Sequence, residues 1–119
     1  MRTLAQQRSQ FALEKLASLQ VDPTKFKTEV TGFPSLVLQN GFGQAVAFNL
    51  SKKVEEKETI VELVRQWLVD TKKLNAKSNR EFLMELSRMS VSKYLSAQRE
   101  ALAFLDWVKR YANAGLFGD

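Results

Sequence analysis

Helix-start signals recur along this chain, each followed by apolar residues at helical spacing, and that recurrence constrains the fold more than any single motif. Thr3 with Gln6 three residues on reads as a capping box, after which Leu4, Phe11, Ala12, Leu16 and Leu19 repeat with a helical period. The spacing predicts a first helix over 4–19. Asp22 before Pro23 joins an N-cap side chain to a residue whose missing N–H costs nothing in a first turn. A second helix is expected from Pro23 to about Thr31, ended by Gly32 and by Pro34, which disfavours helical geometry at Phe33.

Ser35 to Leu50 is the one ambiguous stretch. Leu36 to Leu38, the Asn40-Gly41 pair and Val46, Phe48 and Leu50 imitate a hairpin with a tight turn. No other segment reads as a strand, however, and an isolated two-stranded hairpin is marginal in water. Two short helices broken at Asn40-Gly41-Phe42-Gly43 are the preferred reading. Further on, Ile60, Leu63, Val64, Trp67 and Leu68 form one apolar stripe over about 58–73, with Glu58, Glu62, Arg65 and Gln66 opposite and Lys72 and Lys73 suited to the C-terminal dipole. Ser78 with Glu81 suggests a second capping box, opening a short helix that buries Phe82, Leu83 and Leu86. Ser90 or Ser92 starts the longest helix, running to about Ala114 and closed by Gly115. Its apolar set, from Val91 through Tyr94, Leu95, Phe104, Trp107 and Val108 to Tyr111, is wider than one stripe, which fits a central core helix better than one with a flank left for a partner. The expected fold is all-α: one compact domain over 1–119 with five or six helices and a long C-terminal one.

At 119 residues and 45% hydrophobic composition the chain supports one core. It has no Cys, which fits a reducing compartment, and no apolar run long enough to cross a bilayer; a cytoplasmic protein is expected. The net charge of +5 is unevenly spread, since residues 1–53 hold seven Lys or Arg against the three acids Glu14, Asp22 and Glu29. A local basic excess attracts polyanions, although solubility alone also accounts for it.

Most catalytic chemistry is absent. Without His or Cys there is no Ser-His-Asp triad, no thiolate nucleophile and no His or Cys zinc site. The carboxylate pairs Glu58/Glu62 and Glu81/Glu85 have a spacing that would suit Mg²⁺, but any solvated helix face shows the same spacing. No phosphate-cradling loop is present. No catalytic residue, metal or cofactor is therefore expected, and no small-molecule substrate. Arg8 and Lys15, seven apart, fall inside the apolar arc of the first helix, either as snorkelling side chains or as a basic strip facing phosphate or an acidic partner. Gln39, Asn40 and Gln44 flank the double glycine, where a bare backbone admits a ligand or simply takes a positive φ.

Three segments, MRTLAQQRSQFALEKL, FPSLVLQNGFGQAVAF and ALAFLDWVKRYA, stand in this order and cover about a third of the chain. Together they resemble the small helical subunit of type III-B CRISPR effectors, the fifth Cmr protein. The resemblance implies an all-α fold with a glycine break between Pro34 and Leu50. It also implies a non-enzymatic subunit of an antiviral ribonucleoprotein, stacked with copies of itself in a minor filament beside the backbone filament. Its partners would be the backbone and large subunits of the Cmr complex and the guide–target RNA, contacted through basic surface without a base-reading code. The matching segments contain Arg2, Gln7, Arg8 and Lys15, then Asn40, Gly41, Gly43 and Gln44, then Lys109 and Arg110. With Lys52 and Lys53 added on charge, these are the candidate RNA or subunit contacts. Asp106, one turn before Arg110, is placed to pair with it or with Lys109. Lys72, Lys73 and Lys77 lie in the stretch from Ser51 to Leu95, which matches only as helices. The alternative function is a helical adaptor that binds protein alone.

Overall fold

Each start signal delivers a cap in the computed structural model, which describes residues 1–118. Thr3 Oγ1 accepts from Gln6 N–H at 3.1 Å while the Gln6 side chain accepts from Thr3 N–H at 2.8 Å, closing the first capping box. Asp22 Oδ1 accepts from Thr24 and Lys25 N–H. Ser90 Oγ accepts from Lys93 N–H, which makes Ser90 the cap of the last helix. At Ser78 the hydroxyl caps Glu81 N–H, but the Glu81 carboxylate takes the Ser78 hydroxyl at 3.5 Å and not its backbone. Six helices result: α1 Leu4–Ser18, α2 Pro23–Asn40, α3 Phe42–Ser51, α4 Glu55–Asp70, α5 Asn79–Arg88 and α6 Val91–Asn113. No strand occurs among the described residues, so the hairpin reading falls.

Two boundaries differ from expectation. α2 does not stop at Thr31: it runs through Gly32 and Pro34 to Asn40, so the first of the two short helices is its continuation. Phe26, Val30, Phe33 and Val37 recur at spacings of four, three and four, and all are buried. Burying each contributes about 1.5–3 kcal/mol, which together exceeds the ~3 kcal/mol of an interior proline plus the ~1 kcal/mol of a glycine. α4 spans 55–70 in place of 58–73, because Glu55, Glu56 and Glu58 suit its positive N-terminal end. It closes in a Schellman turn: Lys73 N–H donates to Leu68 O and Lys72 N–H to Val69 O, with Lys72 at φ +61.

The long α6 lies against α1, α2 and α4, as a central helix should. Its buried face is Ala97, Glu100, Ala101, Phe104, Leu105, Val108 and Ala112, while Val91 and Leu95 at its start remain 76% and 42% exposed. Two aromatic clusters lock the layers. Trp67 stacks on Phe104 at 5.3 Å and Phe11 tilts against Trp67 at 5.0 Å, joining α1, α4 and α6. Phe42 meets Phe82 at 5.9 Å and Tyr94 at 6.4 Å, joining α3, α5 and α6. The result is a flattened body of 40 × 39 × 25 Å. No helix among the described residues is long and apolar enough to cross a membrane.

Candidate functional site

Arg8 is drawn inward by a buried carboxylate. Its Nε and Nη2 donate to Glu100 Oε2 and Oε1 at 2.6 and 2.9 Å, a two-pronged pair between α1 and α6. Trp67 Nε1 donates to the same Oε2 at 2.8 Å from α4. Burial pushes the Glu100 carboxyl up, but the hydrogen bonds from Arg8 and Trp67 and the charges of Arg8 and Lys73 outweigh it, so the group lies below its ordinary value. The Glu100 hydrogen bond in turn raises Arg8 above its ordinary value. With Arg8 20% and Glu100 5% exposed, the guanidinium is committed inside the molecule. Lys15, half-buried, lies with its ammonium 5.1 Å from the Phe11 ring. Arg8 is therefore not available to an external anion, and Lys15 keeps its charge.

The glycine element works as a hinge between helices. Gly41 takes φ +88 and ψ 157, ending α2 through its N–H to Val37 O and starting α3 as its N-cap. Gly43 is helical, the second residue of α3, and its N–H donates to Tyr94 Oη on α6 at 2.8 Å. Asn40 and Gln44 stand exposed on either side. Gly43 and Gln44 line a groove of about 370 Å³ with Leu83, Leu86 and Tyr94. A more apolar groove of about 570 Å³ runs between α1 and α6, walled by Ala5, Leu13, Trp107 and Tyr111.

The remaining candidates are scattered over the surface. Arg2 is exposed and donates to Gln10, while Gln7 Nε2 reaches the Arg2 carbonyl at 3.4 Å. Lys52 and Lys53 are exposed at the end of α3, with Lys52 4.7 Å from the Phe48 ring and Lys53 at φ +56. Arg110 is exposed and meets Asp106 at 3.6 Å, as the spacing suggested, and Lys109 is half-buried. One grouping was passed over in the sequence: Lys73 Nζ donates to Ser96 Oγ at 3.2 Å, close enough to Glu100 to act on its charge. Its signal was the absence of any acid between Asp70 and Glu81.

The carboxylate pairs have local partners. Glu62 accepts from Arg65 and Gln66, and Glu85 pairs with Arg88. No group of three or more His, Cys, Asp or Glu able to hold a metal exists among the described residues.

With this architecture in hand, residues 4–115 match the family described as CRISPR-associated protein (Cas_Cmr5). The chain belongs to the Cas_Cmr5 family. Consistent with this, the X-ray crystal structure of a CRISPR-associated Cmr5 family protein from Thermus thermophilus superposes with a TM-score of 0.79. The two are 30% identical over 96% of this chain and 97% of that one. No match was found among curated protein sequences. The Cas_Cmr5 match runs from the first residue of α1 past the end of α6, so the family unit is the whole six-helix body. It includes the stretch from Ser51 to Leu95, where the sequence resemblance was helical only.

Proposed function

We propose that the chain is a non-catalytic structural subunit of a type III-B CRISPR effector, stacking with copies of itself and with the backbone filament and touching target RNA through basic surface. The carrying observation is the Cas_Cmr5 match over residues 4–115, on a chain with a net charge of +5. A +5 chain lowers its free energy beside phosphate without reading bases, and sequence recognition is left to guide pairing. Arg2, Lys15, Asn40, Gln44, Lys52, Lys53, Lys109 and Arg110 are the proposed contacts with RNA or neighbouring subunits, and Arg8 is left out because Glu100 holds it. The apolar α1–α6 groove supports a protein contact as well, since Trp107 and Tyr111 are residue types that anchor interfaces.

The test is reconstitution of the complex from purified subunits with and without this chain. Incorporation in more than one copy, weaker hold on target RNA when it is omitted, and target cleavage that persists in its absence support the reading. Loss of cleavage with target binding intact would assign the chain a catalytic part and overturn it.

A further inference from the structure

Free positive charge on this molecule is not confined to the N-terminal excess. Part of that excess is committed internally, since Glu100 holds Arg8, while Lys15 and Lys52 rest over the Phe11 and Phe48 rings. Between Asp70 and Glu81, by contrast, the chain carries Lys72, Lys73, Lys77 and Arg80 and no acid. Between Glu85 and Glu100 it carries Arg88, Lys93 and Arg99 and no acid.

The fold brings these two acid-free stretches together. Lys73 Nζ donates to Ser96 Oγ, and exposed Arg99 follows Ser96 by one turn on the same side of α6. The carboxylate beneath them, Glu100, is buried and already neutralised by Arg8. Asp70, the exposed last residue of α4, is the nearest acid before them in the chain.

The lysines also stand on a fixed backbone. Lys72 and Lys73 form the Schellman turn of α4, Leu74 and Ala76 are buried behind them, and Arg65 Nη1 donates to Ala76 O at 2.7 Å. Ser78 then caps α5. Lys72 occupies a left-handed position that glycine fills at less cost, so a charged side chain is presented where the backbone alone does not call for one. A rigid cationic edge loses little ordering entropy when it meets a polyanion.

We infer that the α4–α5 connection and the N-terminal half of α6, with Lys72, Lys73 and Arg99 around Ser96, form the face that holds the phosphate backbone of the target RNA. This rests on the RNA-contacting function proposed above and assigns it a place. Contact there is sequence-independent, because the surface offers ammonium and guanidinium groups and a hydroxyl, with no aromatic ring among them.

The test uses the reconstituted complex carrying guide and target RNA, and compares Lys72→Glu with Lys73→Glu against the charge-matched control Lys25→Glu with Lys27→Glu. Both double variants change net charge equally. The first is expected to assemble at wild-type stoichiometry, lose target retention at least tenfold at moderate salt, and flatten the log–log salt slope by about 1.4, at ~0.7 per single-strand phosphate contact. Lys73→Gln with Arg99→Gln, which touches no left-handed residue, should flatten it by the same amount.

Equal losses in the first variant and the control would mean a general charge effect and overturn the assignment. A Lys52→Glu with Lys53→Glu variant that loses RNA while the Lys72/Lys73 variant keeps it would move the face to α3. Exclusion of the Lys72/Lys73 variant from the complex would make the surface a protein contact. If the complex without this chain holds RNA with the wild-type slope, the RNA-contacting function itself fails, whichever face is considered.

Discussion

At the scale of single residues, the molecule is organised around Glu100, a carboxylate 5% exposed that ties α1 to α4 and α6 through Arg8 and Trp67. Glu100→Gln keeps an acceptor for Trp67 but leaves Arg8 without its counter-charge. Breaking a fully buried pair costs about 3–5 kcal/mol; with Arg8 still partly wetted, about 2–3 kcal/mol is expected, read by urea unfolding. The Glu100 pKa is lower folded than unfolded, so its stabilisation is complete above the ordinary carboxylate value of ~4.3 and disappears as pH falls through the lower folded value. The melting difference between wild type and Glu100→Gln should thus hold steady from neutral pH to about 5 and shrink below ~4. A constant gap down to the most acid conditions would remove the pair as its source. The two hinge glycines should part company. Gly41→Ala places a Cβ at φ +88, in a region that glycine alone enters readily, and should lose about 1–3 kcal/mol. Gly43→Ala puts its Cβ at an ordinary 3.5 Å from Tyr94 Oη inside a helix, and should be neutral or stabilising by up to ~1 kcal/mol. Thermal melts of the two variants decide this.

At the scale of elements, most of the fold was readable because four of the six helices begin with side-chain caps, which are local and leave their donors and acceptors in the sequence. Thr3, Asp22, Ser78 and Ser90 all mark true starts. α2 departs from the sequence expectation where a local rule meets a tertiary one: Pro34 argues for a break, yet Phe33 and Val37 extend the stripe begun by Phe26 and Val30, and the core they enter is not visible from that stretch alone. Pro34→Ala should restore the missing donor to Val30 O and raise stability by about 1–3 kcal/mol; a loss would mean the ring is needed for packing. The candidate site was less legible than the helices. Arg8 reads as a surface cation until Glu100, ninety-two residues away, is brought beside it. Lys73 reads as a helix-end charge until it meets Ser96. Such pairings depend on how helices cross, which periodicity does not encode.

At the scale of the whole molecule, a six-helix Cas_Cmr5 body of 40 × 39 × 25 Å offers little surface to RNA on its own. The isolated chain should bind RNA weakly and without sequence preference, since a net +5 meets few phosphates at once. Tight binding in high salt would instead indicate a dedicated RNA-binding domain. Under the proposed function, repetition of the subunit along a filament would multiply the contacts, and a shared target strand would turn weak sites into a strong hold through effective concentration. The most direct measurement is therefore the salt dependence of target-RNA affinity for the reconstituted complex with and without this chain. A shallower log–log slope in its absence, by roughly 0.7 for every single-strand phosphate contact withdrawn, is the predicted result, whereas identical slopes with the chain demonstrably assembled would contradict the proposal that it touches RNA.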